Sequence, residues 1–144
     1  MGVKILIRKN MNIIRSLLVL SALYFSANAV AAHVECVISG TPTQQQYTAD
    51  YCSSIVNAQP SIWYRLVTSK PVLEVTWSHD SGHGQSWSCG NSTTCIVNLI
   101  NYSNNGSFTE LSACANRVIY TDNTWEDLNV CASGIIWGGS INPF

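Results

Sequence analysis

Six cysteines, at positions 36, 52, 89, 95, 114 and 131, constrain this chain more than any other feature. An even set in a small exported chain reads as a disulfide framework, which compensates for a modest core. Zinc binding is the rival use. The chain has no C-x-x-C pair, however, and its histidine spacing fits no zinc finger. Six cysteines allow 15 connectivities, and sequence alone does not choose among them. Pairing by proximity gives Cys36–Cys52, Cys89–Cys95 and Cys114–Cys131. Each such loop contributes roughly 2–3 kcal/mol by the chain-entropy model.

The first residues supply the exporting context. Lys4, Arg8, Lys9 and Arg15 precede an apolar run from Leu17 to Phe25, and small residues ending in Ala-Asn-Ala and Ala-Val-Ala follow. That order is the pattern of a secretory signal peptide. The apolar run is well short of the roughly 20 residues of a membrane span. Residues 1–32 are therefore expected to be a leader cut between 29 and 32, leaving one domain over 33–144 in a secreted or periplasmic compartment. Met11 is an alternative start, because the segment from Met11 to Ala29 is a complete signal by itself.

Losing the leader changes the charge. Only Arg65, Lys70 and Arg117 remain against eight carboxylates, a net charge of about −5. Three scattered cations give no footprint for phosphate neutralisation, which excludes nucleic acid as a partner. There is no basic amphipathic helix for an anionic membrane surface either.

The expected fold class is all-β: a disulfide-stapled antiparallel β-sandwich of six or seven strands, immunoglobulin-like in architecture. Runs at 34–38, 61–68, 72–78, 95–102, 114–121 and 130–137 alternate or are β-branched. Polar turns at 79–86, 90–94, 103–107 and 122–127 separate them. The immunoglobulin Cys…Trp…Cys spacing and tyrosine corner are absent, so the comparison extends to architecture only. One short helix is expected near 48–58, where Tyr51, Cys52, Ile55 and Val56 share a helical face and Pro60 would end it.

Candidate sites come from the polar stretches. His79 and His83 lie four apart in HDSGHG, beside Asp80 and two glycines. On a helix that spacing would let both rings share a metal, but in a strand-to-strand loop it imposes no such geometry. If the leader is cut after Ala32, the mature chain begins with His33. An N-terminal histidine together with His79 or His83 resembles the histidine brace of lytic polysaccharide monooxygenases and of small periplasmic copper carriers. The resemblance covers those histidines alone and implies copper, although the chain is too short for a typical monooxygenase of that kind.

Asp122, Asn123, Glu126 and Asp127 are oxygen ligands of the kind calcium takes, but they fail the EF-hand pattern. Catalysis has little support. There is no G-x-S-x-G, and no free thiol if all six cysteines pair. Three tripeptides, at Asn91, Asn101 and Asn105, match the N-glycosylation pattern.

The tryptophans carry the leading reading. Trp77 and Trp137 sit in apolar runs and are expected in the core, whereas Trp87 and Trp125 are expected in polar loops. A wet indole is costly unless it packs or binds. Trp125 with Asp122 and Asn123, and also Trp87, are the candidate ligand-binding residues of a module that recognises a glycan or a protein surface. A copper-binding or copper-dependent redox protein is the alternative. An inhibitor or structural subunit of a secreted assembly is the third.

Overall fold

A computed structural model of the chain describes residues 31–40, 46–56, 59–82, 84–100 and 108–138. The leader expected at 1–32 lies almost wholly outside these residues, as do His83, Asn101 and Asn105. Nine strands follow one another, with no helix among the described residues: β1 (His33–Ser39), β2 (Thr48–Ala49), β3 (Tyr51–Val56), β4 (Ser61–Val67), β5 (Val72–His79), β6 (Gln85–Ser88), β7 (Thr94–Leu99), β8 (Phe108–Tyr120) and β9 (Trp125–Gly138). They form two sheets, ordered β2-β1-β4-β7-β6 and β3-β9-β8-β5.

Period-two alternation builds the core. On β4, Ile62, Tyr64 and Leu66 are buried while Trp63 and Arg65 are exposed. β1 buries Val34, Cys36 and Ile38, and β7 buries Cys95, Val97 and Leu99. From the second sheet come Cys52, Val56, Val75, Leu111, Ala113, Val118 and Ile136. All belong to one hydrophobic cluster, so the two sheets pack face to face as a sandwich.

Three devices tie the sheets together. Cys36 on β1 is bonded to Cys52 on β3, and both are buried. The buried Tyr64 hydroxyl donates to the Leu111 carbonyl of the other sheet at 2.7 Å. Burial pushes that phenol's pKa well above its ordinary value. Gly134 lies directly beneath, where an added Cβ would come within 2.8 and 2.9 Å of Ile62 side-chain carbons. The other two disulfides are local: Cys89–Cys95 links the end of β6 to β7, and Cys114–Cys131 joins residues directly opposite in the β8–β9 ladder. No cysteine is free. Among the described residues no helix is long and apolar enough to cross a membrane.

Four expectations need correction. The segment near 48–58 is not helical. Cys52, Ser54 and Val56 are buried while Tyr51 and Ile55 are exposed, so β3 has a period of two. Asp50, at φ 63°, breaks the chain between β2 and β3. The sandwich is not wholly antiparallel, since β3 runs parallel to β9 in the register Cys52↔Gly134 and Val56↔Gly138. There are nine strands rather than six or seven, and the polar residues 85–88 are one of them. Finally β8 begins at Phe108 and β9 at Trp125, ahead of the apolar runs expected from 114 and 130. Trp125, Glu126 and Asp127 are therefore strand residues rather than turn residues.

Candidate functional site

The β8–β9 hairpin carries the corner where sequence placed Trp125, Asp122 and Asn123. Its turn is self-contained. Tyr120 N–H donates to the Thr124 carbonyl at 2.8 Å, and Asn123 N–H to the Tyr120 carbonyl at 2.9 Å. Asn123 adopts φ 64°, the left-handed conformation that asparagine tolerates best after glycine. Asp122 Oδ1 accepts from both the hydroxyl and the N–H of Thr124, at 2.6 and 2.9 Å. Those bonds hold its carboxyl below the usual carboxylate range. Both residues therefore shape the turn. Among the described residues, no group of three or more His, Cys, Asp or Glu side chains is arranged to hold a metal ion.

Trp125 opens β9 opposite Ile119, with Arg117 opposite Asp127 on the same face. Its side chain is 59 % exposed. The Arg117 guanidinium lies 4.8 Å above the indole centroid while its Nε donates to Asp127 Oδ1 at 2.7 Å. The hydrogen bond to Asp127 raises the guanidinium pKa further. The β8–β9 hairpin thus presents a wet aromatic ring and a carboxylate from β9 beside a cation from β8.

Glu126 points the other way, toward the end of the sandwich. Its Oε2 accepts from the Tyr120 hydroxyl at 3.1 Å, and Lys70 Nζ sits 4.9 Å from the Tyr120 ring centroid and 4.0 Å from Asp122 Oδ2. Burial first, and Glu126 second, raise the Tyr120 pKa. A cavity of about 290 Å³ opens here between Lys70, Tyr120, Glu126, Thr68 and Ser69. Ala31 and Ala32, from the stretch expected to be cut, line it as well. Its volume is at the lower edge of small-ligand pockets.

Among the described residues, the three Lys and Arg side chains all have partners at hand. Arg65 meets Glu35, Arg117 meets Asp127, and Lys70 lies near Asp122.

Trp87 proves to be a different kind of residue. It lies on β6, not in a loop, with its side chain turned inward and packed against the core. His79 stacks on its ring at 4.3 Å and 11°, and Tyr64 at 6.1 Å and 22°. Its Nε1 donates to Gln85 Oε1 at 3.2 Å. Asp80, the next residue of the HDSGHG stretch, is engaged as well. Asp80 Oδ2 accepts from Ser112 N–H at 2.7 Å, clamping the end of β5 to β8.

The structure does not bring His33 and His79 together. His33 pairs with Val67, five residues before β5 begins, whereas His79 closes β5. Seven residues of strand separate that start from that end, about 23 Å at 3.3 Å per residue. His33 has its own neighbours, Ala31 O at 3.0 Å and Glu35 Oε1 at 3.3 Å. The hydrogen bond to the Ala31 carbonyl, assisted by Glu35, raises its pKa against the effect of burial. Burial also opposes ionisation of Glu35, but hydrogen bonds from Arg65 and His33 outweigh it and hold that carboxyl below its ordinary value.

Two exposed tryptophans escaped the sequence reading. Trp137 is 45 % exposed rather than buried. It lies across from Ile55 and Phe108 on the outer face, its ring centroid 5.3 Å from that of Phe108. Trp63, 39 % exposed, lies on the outer face of β4. Its signal was present, because alternation with Ile62, Tyr64 and Leu66 assigns Trp63 and Arg65 to the opposite face. No family model, curated protein or solved structure matches the chain.

Proposed function

We propose that this chain is an exported binding module that recognises a glycan or a protein surface, with Trp125 as its aromatic anchor. The observation that carries this is the exposure of Trp125 beside Arg117 and Asp127. An indole left in water on a strand gains nothing from core burial. Beside hydrogen-bonding charges it offers the mixture of apolar face and polar rim that recognition sites use. Export is supported by the leader pattern and by the bonding of all six cysteines, which persists in oxidising compartments.

The test is a glycan array together with a screen against immobilised surface proteins, run with the wild-type chain and with Trp125→Ala. The reading expects a hit that the variant loses by tenfold or more while its melting temperature is unchanged. A variant that binds as tightly as the wild type contradicts it. Peptide mapping of the mature N-terminus at Val30, Ala32 or His33 tests export, and an intact Met1 or Met11 start contradicts it.

A further inference from the structure

We propose that the outer face of the β2-β1-β4-β7-β6 sheet is a second binding site, built to carry an uncharged polysaccharide chain laid across the strands over Trp63. This goes beyond the Trp125 reading and stands on different residues.

Trp63 occupies the middle strand of the five. Its direct neighbours across the ladder are Val37 on β1 and Ile96 on β7, so an apolar row crosses three strands. Beside it runs a second row, Ser39, Ser61, Asn98 and Ser86, across four strands and made only of hydroxyl and amide side chains. Ser61 Oγ donates to Asn98 Oδ1 at 2.6 Å, and no side-chain hydrogen bond occupies Asn98 Nδ2 among the described residues. The two rows are two residues apart along each strand, about 6.6 Å, and adjacent strands are about 4.8 Å apart. The strand spacing is close to the length of one pyranose ring. A chain crossing the strands would therefore set its apolar ring faces on the Trp63 row and its hydroxyl edge along the serine and asparagine row.

Charge decides the class of ligand. The ionisable side chains on this face are already matched. Arg65 Nε and Nη2 both contact Glu35 Oε2, at 2.7 and 2.6 Å, and His33 Nε2 is 3.3 Å from Glu35 Oε1. The Arg65 guanidinium also lies 3.9 Å from the Tyr47 ring centroid. No unmatched charge is left to favour an anionic or cationic chain.

Trp63 differs from the other two exposed indoles in its neighbours, although at 39 % it is less exposed than Trp125 or Trp137. Arg117 sits over one face of Trp125, and Phe108 packs on Trp137. Among the described residues, no aromatic ring or cation lies over Trp63.

Affinity electrophoresis through cellulose derivatives, xylan, mannan and chitin derivatives, with hyaluronan and heparin as charged controls, tests the proposal. Wild type, Trp63→Ala, Asn98→Ala and Trp125→Ala are compared, with melting temperatures measured alongside. The expected result is retardation by at least one uncharged polymer. Trp63→Ala should weaken it by about tenfold or more, Asn98→Ala less, and Trp125→Ala not at all, with melting temperatures unchanged. Should Trp63→Ala fail to fold, Asn98→Ala and Trp63→Phe carry the same test. Binding to charged polymers only, binding to none, or loss with Trp125→Ala alone overturns the proposal. The last of these would leave the Trp125 reading standing. Sedimentation that shows a dimer broken by Trp63→Ala would assign the face to self-association and overturn it as well.

Discussion

Trp87 and Trp125 look alike in the sequence, each set in a polar stretch, yet the β6 edge and the β8–β9 corner treat them in opposite ways. On β6 the register Trp87↔Val97 turns the indole toward the core, where His79 and Tyr64 stack on it. On β9 the register Trp125↔Ile119 turns the other indole outward, with Arg117 above it. Local polarity is the same in both. The partner strand's register decides which face of the sheet a side chain occupies, and a one-residue slip would exchange the two outcomes.

The strongest way to sharpen this contrast is to loosen the seam on which the buried side depends. Replacing Cys36 and Cys52 with alanine removes a cross-link spanning 16 residues, and the chain-entropy model puts the loss at about 3 kcal/mol. Chemical denaturation should record that loss. A change below about 1 kcal/mol would mean that core packing alone holds the sheets together. Next in size is Trp87→Ala. A fully buried tryptophan costs about 3–5 kcal/mol on truncation, and the half-buried Trp87 should cost about 2–3 kcal/mol. A loss within about 0.5 kcal/mol would move Trp87 to the surface class and break the contrast.

Tyr64→Phe is smaller again. It leaves the ring in place but strips the Leu111 carbonyl of its 2.7 Å donor, at a cost of about 1–2 kcal/mol. An unchanged midpoint would show that the cross-sheet hydrogen bond contributes nothing net. Trp125→Ala should have the smallest effect, within about 0.5 kcal/mol, because little of that indole leaves water on folding. A larger loss would show that the Arg117–Trp125–Asp127 stack holds the hairpin together.

Much of this arrangement is legible in the sequence. The alternation in SIWYRLV assigns Ile62, Tyr64 and Leu66 to the core, and neighbour pairing yields the three disulfides found. What escaped has physical causes. The helix expected near 48–58 failed because β3 takes its hydrogen bonds from β9, about 80 residues away, and no local pattern reports so distant a partner. The first halves of β8 and β9 carry outward-facing Glu110, Ser112, Asp127 and Asn129, which dilute the apolar signal even though the ladder continues. Bulges between Thr76 and Trp77, and between Ala115 and Arg117, shift the parity that alternation relies on. At the candidate site, residue types were legible but their grouping was not. Asp122 and Asn123 could be read as a turn, whereas the placement of Lys70 beside Tyr120 depends on the β4–β5 connection.

Mass-spectrometric mapping of tryptophan oxidation in the native protein, across a short course of oxidant, tests the contrast most directly. All five indoles are read in one experiment. Trp125, Trp137 and Trp63 should be oxidised early, with Trp87 and Trp77 protected until the chain unfolds. Oxidation of Trp87 as fast as Trp125, or protection of Trp125 in the native state, would contradict the account.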